Sequence, residues 1–211
     1  MNTRELREKY RGFARWYDLA EGIPEVLGIY RLRRRLLAQA RGRVLEIAAG
    51  TGKNFRWYPP GEAVVAVDLS IDMLRRARQR AEKLKRRRFL FAVMDAERLA
   101  VREQAFDCVV STLSTCTFPD PVQALREMAR VCRADGRIFL LEHGRSDRAW
   151  AARYQDRQAE AHAQLLGCHL NREPLDLVRQ AGLGILARRP AVPACVSHYR
   201  GATHLDRCEC I

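Results

Sequence analysis

The chain has 211 residues, 47% of them hydrophobic and 30% charged. That suits one α/β domain with an ordinary core and an elaboration. No apolar run approaches the roughly 20 residues that a membrane-spanning helix needs, and the charged start holds no signal-peptide core, so a cytoplasmic protein is expected. The formal net charge of +13 is carried mostly by arginine. Such basicity suits an anionic membrane surface, nucleic acid or an acidic substrate, and equally a set of solvated arginine-rich helix faces. Seven cysteines at irregular spacing make no disulfide framework. Cys108, Cys116 and Cys132 fall in or beside core elements and read as small buried hydrophobes. Cys208-Glu209-Cys210 reads as a tail with free thiols, and no metal site is expected.

In chain order, residues 3–20 read as an amphipathic helix capped by Thr3, with Leu6, Tyr10, Phe13 and Tyr17 along one face and Arg7, Arg11 and Arg15 along another. Gly22-Ile23-Pro24 breaks it, and a second helix is expected over 24–40, carrying Arg33-Arg34-Arg35. Strands and helices then alternate: strand 43–47, a helix near 52–58 stopped by Pro59-Pro60-Gly61, strand 63–67, helix 70–84 capped by Ser70, strands 89–93 and 106–110, helix 120–132 and strand 137–142. A long polar helix over 147–166 follows, then one over 172–181 capped by Asn171 and ended by Gly182. Ile185 to Ala187 and Cys195 to Tyr199 read as short strands. The alternation predicts a doubly wound, mostly parallel sheet in one domain, 1–211: N-terminal helices over 1–41, which become a helical lid under the resemblance given below, a core over 42–145 and further helices and strands over 146–211.

The motif that carries the chemistry begins at Val44-Leu45-Glu46-Ile47-Ala48-Ala49-Gly50-Thr51-Gly52-Lys53-Asn54, an apolar run that ends in an acid and then in glycines. Val64-Val65-Ala66-Val67-Asp68 repeats the pattern of an apolar run ending in an acid. A buried strand, a tight glycine turn and a neighbouring strand with an acid at its tip describe a pocket for a nucleoside-containing ligand. A phosphate-binding P-loop fails at Ile47 and Asn54. A dinucleotide fingerprint fails at Phe55, where its third glycine belongs.

Glu46-x-x-x-Gly50-x-Gly52 with Asp68 resembles the cofactor site of the class I S-adenosylmethionine-dependent methyltransferases. Asp95-Ala96 after Phe89 to Val93, the run Phe106 to Ser111 and the run Gly136 to His143 extend the resemblance over residues 40–145. It implies a Rossmann-like, seven-stranded sheet with a reversed last strand, S-adenosylmethionine as cofactor, and a binding set of Glu46, Ala48, Gly50, Thr51, Gly52, Asn54, Asp68, Leu69, Met73, Asp95, Ala96 and Ser111. Within that set Asp68 is expected to hold the ribose hydroxyls and Asp95 the adenine amine. Ala48 stands where the family has its first glycine. Alanine costs little there in an ordinary backbone well and clashes at φ > 0.

The segments Gly50 to Gly61, Ser111 to Cys116, Glu142-His143 and Gly167-Cys168-His169-Leu170-Asn171-Arg172-Glu173 are similar to those of animal thiol S-methyltransferases. The start Tyr10…Ala14…Tyr17-Asp18 is similar to that of quinone C-methyltransferases and phospholipid N-methyltransferases. The implied acceptor is small or lipid-like, a thiol first, with a phospholipid amine or quinone ring as alternatives. His143 is the candidate general base, and Tyr10, Tyr17, Cys116 and Phe118 are acceptor-side candidates. Phe13, Trp16, Tyr30, Trp150 and Tyr154 are further lid candidates. The basic, aromatic first helix suits peripheral contact with an anionic membrane, without the apolar anchor of the animal enzymes. Nucleic acid is disfavoured as acceptor, because Ser111-Thr112-Leu113-Ser114 stands where base-amine enzymes carry Asn/Asp-Pro-Pro-aromatic. A noncatalytic cofactor-binding protein is the rival from another class; oligomeric state is left open.

Overall fold

The computed structural model describes residues 28–86, 88–191 and 196–202, with Glu5 and Glu8 as isolated helical positions; the side chains of 188–191 and 196–202 are not described. The first predicted helix, with Tyr10, Phe13, Trp16, Tyr17 and the Thr3 cap, and the Cys208-Glu209-Cys210 tail therefore lie outside the described residues.

Apolar runs of β-branched residues make the centre of the fold. β1 (Arg43–Ile47) pairs in parallel with β2 (Ala63–Asp68) on one side and with β4 (Phe106–Thr112) on the other. β3 (Phe89–Val93) extends the sheet beyond β2, and β5 (Cys132–His143) extends it beyond β4, both in parallel. This five-stranded parallel core reverses its winding at β1, so that β1, β2 and β4 deliver their carboxyl ends to one edge, where ligands bind in such sheets. β7 (Val196–Ala202) runs antiparallel to β5, and β6 (Gly184–Ala191) runs antiparallel to β7.

The strands are buried on both faces and their residues alternate between two cores. Val44, Val64, Ala66, Cys108, Val110, Phe139 and Leu141 face one core, with Leu36 and Leu37 of α1 (Tyr30–Leu37), Ala77 and Ala81 of α2 (Ile71–Lys83), Phe55 and Tyr58. Leu45, Ile47, Val67, Val109, Ile138 and Leu140 face the other, with Ala124, Leu125 and Met128 of α3 (Pro121–Val131) and Val178 of α5 (Pro174–Gln180). α4 (Ala149–Leu166) is more peripheral, burying only Ala152, Ala159 and Ala163.

Local signals act as expected at several ends. Ser70 Oγ accepts from Met73 N, and Gly182 adopts φ 77 just after α5. Asp120, which sequence reading does not single out, caps α3 through Gln123 N. Three expectations need correction. The stretch 52–58 is a series of turns, with Phe55 N bonded to Gly52 O and Trp57 N to Asn54 O, because Gly52 sits at φ 80 and Pro59 cuts the stretch short. Asn171 does not cap α5: its amide donates to Asp156 at 3.3 Å, and Glu173 occupies the cap position with no side-chain bond. The fifth strand begins at Cys132, not near 137, because α3 passes straight into it and its register shifts between Phe106 and Cys108.

Candidate functional site

The glycine turn after β1 is built by two glycines for two different reasons. Gly52 (φ 80) lies on Phe55, and a Cβ there would stand 2.5 Å from the ring. Gly50 (φ 54) faces open space and donates its N–H to Asp68 Oδ2 at 2.8 Å. Asp68 Oδ1 accepts from Ser70 N at 2.8 Å. The carboxylate at the tip of β2 is thus held by backbone donors and lines the cleft. Burial raises its pKa, and the N–H groups of Ser70 and Gly50 oppose the rise.

The cleft holds about 800 Å³ of space. Asp68, Asp95 and Glu97 give it acidic positions; Leu69, Met73, Met94 and Ala96 line it beside them; Leu113, Ser114, Thr117, Phe118 and Pro119 form the far wall. Ala48, Gly50 and Thr112 line both the cleft and a smaller recess of about 270 Å³, whose other lining includes Arg33, Thr51, Lys53 and Asn54. Of the four described non-glycine residues at positive φ, two line this cleft: Ala48 (φ 50) and Leu113 (φ 53). Ala48 therefore occupies the backbone region where alanine is strained, at about 1–2 kcal/mol. Backbone strain of this sort gathers where a ligand must be approached closely.

Glu46 is 1% exposed and lies behind the turn rather than in the cleft. Its carboxylate accepts from Asn54 Nδ2 at 2.9 Å and Tyr58 OH at 2.8 Å. Arg33 of α1 reaches the same knot, donating to Asn54 Oδ1 at 2.9 Å and to Thr112 Oγ1 at 2.6 Å. Burial pushes the Glu46 carboxyl up to about 7 against the lowering by Tyr58, Asn54 and Arg33. The knot ties α1, β1, the turn and the end of β4 into one support for Gly50 and Ala48. Thr51 is buried and accepts from Arg80. Ser111 is fully buried, its hydroxyl bonded to that of Ser114, and it does not line the cleft.

A second constellation lies at the tips of β4 and β5. Glu142, fully buried, accepts from Ser114 N at 3.1 Å and Thr115 N at 3.3 Å, holding the loop after β4. His143 does not line the cleft; its Nε2 lies 3.3 Å from Cys168 Sγ. Cys116, buried behind the loop, offers its sulfur within 4.8 Å of both. The hydrogen bond from Cys116 and the neighbouring His143 bring the Cys168 thiol down to about 4, while that same bond to Cys168 and burial raise Cys116. Burial lowers the His143 pKa, but Cys168 and the Glu142 carboxylate together leave it raised. Arg172 clamps the loop by donating to the carbonyls of Thr115 and Phe118, the latter at 2.8 Å. Tyr30 stacks on Trp57 with centroids 6.4 Å apart, and Trp150 and Tyr154 are exposed.

Sequence reading does not single out Arg33, Tyr58, Cys168 or Arg172 for a role. Arg33 hides in a run of three arginines, and the only hint of the others is their place in segments already matched for other reasons.

The pocket suits a nucleoside sulfonium. The cleft brings together a Cβ-free opening at Gly50, a carboxylate at Asp68, a second at Asp95 and the apolar sides of Leu69 and Met73. Comparison with known proteins agrees. Residues 45–140 match the family model described as a methyltransferase domain. A phosphatidylethanolamine N-methyltransferase of Cereibacter sphaeroides is 35% identical over 148 residues, 68% of this chain and 72% of that protein. A thiol S-methyltransferase of Rattus norvegicus is 32% identical over 135 residues, 62% of this chain and 55% of that one, so the match spans little more than half the rat protein. A solved S-adenosylmethionine-dependent methyltransferase of Thermotoga maritima superposes with a TM-score of 0.71 at 19% identity, over 94% of this chain and 100% of that chain.

The fold and the site define a Rossmann-like methyltransferase. The chain belongs to the class I S-adenosylmethionine-dependent methyltransferases, in the group that includes the phospholipid, thiol and quinone enzymes, and its cofactor is S-adenosylmethionine. No helix among the described residues is long and apolar enough to cross a membrane.

Proposed function

We propose that this enzyme transfers the methyl group of S-adenosylmethionine to a small or lipophilic acceptor, a thiol before other nucleophiles. The observation that carries this reading is the far wall of the cleft. Leu113, Phe118 and Pro119 offer apolar surface, and Ser114 and Thr117 offer hydroxyls, with no charged side chain in that stretch. The similarity to the rat thiol enzyme supports it. The similarity to the Cereibacter enzyme favours a second reading, a phospholipid amine, which the same apolar wall also suits.

In this reading Asp68 takes the ribose, Asp95 the adenine amine, and Gly50 and Ala48 the backbone approach. Leu69, Met73 and Ala96 flank the ring, while Thr51 and Gly52 shape the turn. Glu46 and Asn54 hold the turn from behind, and Ser111 fixes the loop that carries the far wall. The cofactor, when bound, supplies an already activated methyl group, so the protein must align the acceptor and exclude water. A thiol must also lose its proton, and the proposed acceptor of it is the His143–Cys168 pair, which lies beside the cleft rather than in its lining. Cys116 and Phe118 belong to the same side. The whole chain acts as one domain in this account, and β6 and β7 close the sheet to seven strands with a reversed last strand. Exposed Arg31, Arg34 and Arg35 on α1 supply the cationic part of a peripheral contact with anionic membrane; salt-sensitive cosedimentation with anionic vesicles is the expected result, and none would remove the contact.

The test of acceptor class is transfer of labelled methyl to a panel of small thiols, phosphatidylethanolamine vesicles, quinone precursors and RNA. Label on the thiols is expected; label on the phospholipid alone would replace the first reading with the second. His143→Ala should slow transfer far more than it weakens cofactor binding, and unchanged turnover would leave His143 a structural part.

A further inference from the structure

Three side chains from three separate elements converge beside the cleft: Cys116 in the loop after β4, His143 at the tip of β5 and Cys168 just beyond α4. One donor atom from each lies within 4.8 Å of the other two. His143 Nε2 and Cys168 Sγ are already 3.3 Å apart. A zinc ion bound at ~2.3 Å by sulfur and ~2.0–2.1 Å by imidazole nitrogen holds such donors roughly 3.5 Å from one another in a tetrahedron. The set therefore needs little contraction to close on an ion.

The backbone around the three donors is fixed independently of them. His169 N donates to Cys116 O at 3.0 Å, which joins the two cysteine-bearing segments directly. Arg172 bonds to carbonyls on both sides of Cys116, those of Thr115 and Phe118. His162 Nδ1 lies 3.1 Å from Cys168 O, and Gln155 reaches Gly144 O and Leu170 O at 3.1 Å each. Preformed placement of this sort is what a metal site needs, because the ion then need not order the chain.

We infer that Cys116, His143 and Cys168 form a binding site for a thiophilic divalent cation, with zinc the ion that best suits two thiols and an imidazole. Three protein ligands leave one tetrahedral position open. Cys116 is buried while His143 and Cys168 are partly exposed, so the open position lies on their side. Loading releases the Cys116 thiol proton and any proton still on Cys168 or the imidazole, since thiolate sulfur and neutral imidazole are the ligating forms. A zinc ion with two thiolates and a neutral imidazole carries no net charge, so it sits beside Glu142 and Arg172 without leaving either facing a new charge. The ion would pin the segment after α4 onto the loop that forms the far wall of the cleft. Loading commits the imidazole to the ion, so the proton-acceptor role assigned to His143 belongs to the metal-free protein. The inference does not depend on which acceptor is methylated, and it departs from the sequence expectation of no metal.

The experiment is titration of the whole reduced, chelator-stripped protein with Co²⁺, a spectroscopic substitute for zinc. One equivalent should bind with sulfur-to-cobalt charge-transfer bands and tetrahedral ligand-field bands, and zinc should bleach both. The signal should survive joint replacement of Cys208 and Cys210 by serine. Cys168→Ser and His143→Ala should weaken binding by roughly tenfold or more, at least the loss typical of changes one shell further out. Should those variants not fold, wild-type protein gives a second readout: zinc should protect Cys168 from iodoacetamide, read by peptide mass, and leave Cys132 unaffected. Absence of charge-transfer bands, a signal that follows Cys208 and Cys210, or equal labelling of Cys168 with and without zinc would overturn the site.

Discussion

The two halves of the site are built in opposite ways. The proposed cofactor side is written in two short contiguous stretches, Glu46 to Asn54 and Val64 to Asp68, whose strands pair residue for residue from Arg43–Ala63 to Ile47–Val67. The cluster beside the cleft is assembled from positions 116, 143, 168 and 172, which only tertiary packing brings together. The first half works through backbone geometry, glycines and aimed carboxylates. The second works through side chains that satisfy one another, two thiols, an imidazole and a clamp from Arg172.

That difference can be broken from either side. Arg172→Ala removes two bonds from a charged donor to loop carbonyls, worth ~1.5–3 kcal/mol each. It should lower stability by about 3 kcal/mol, seen in denaturant titration, and speed alkylation of Cys168, while costing less in cofactor affinity than in stability. Equal losses of affinity and stability would mean that the two halves are one unit.

Glu46 gives a pH test of the cofactor side. Its folded pKa is about 7 against an ordinary 4.5, so the folded state binds that proton more tightly than the unfolded chain. Its contribution is full below pH 4.5 and is lost as the pH rises through about 7. The change amounts to about 3 kcal/mol between those limits. Glu46→Gln should flatten the fall in stability across this window; an unaltered pH profile would show that burial does not hold the proton there.

Asp68→Ala removes the aimed carboxylate and should weaken S-adenosylmethionine binding by on the order of 1–3 kcal/mol in calorimetry, with Cys168 reactivity unchanged. Ala48→Gly relieves the left-handed alanine and should raise stability by about 0.5–1 kcal/mol, less than the full strain because glycine loses more chain entropy. A loss of stability would mean that the Ala48 methyl is supported by packing. The smallest effect belongs to the surface: Asp156→Asn breaks the two-pronged pair with Arg145, exposed on both sides, and should leave the denaturation midpoint nearly unchanged.

The same contrast explains what could be read before the structure. The strand–helix alternation was legible because parallel strands buried on both faces are unbroken apolar runs. The cleft acids were legible because Asp68 and Asp95 follow such runs directly. The conformation of residue 48 was not, since alanine is compatible with every ordinary backbone well and only the turn forces φ 50. The short helix expected near 52–58 failed because Gly52 bends the chain onto Phe55 before a helical turn can propagate. Arg33 could not be told from Arg34 and Arg35 by type or spacing; the buried knot at Glu46 selects it. Cys168 and His143 stand 25 residues apart and meet across two elements, a proximity with no local signal.

The most direct test of the central claim is calorimetric titration of S-adenosylmethionine into wild-type, Asp68→Ala and Arg172→Ala proteins side by side. One site per chain, weakened markedly by Asp68→Ala and much less by Arg172→Ala, is the predicted result. Equal affinity of wild type and Asp68→Ala would contradict it and move the cofactor away from the tips of β1 and β2.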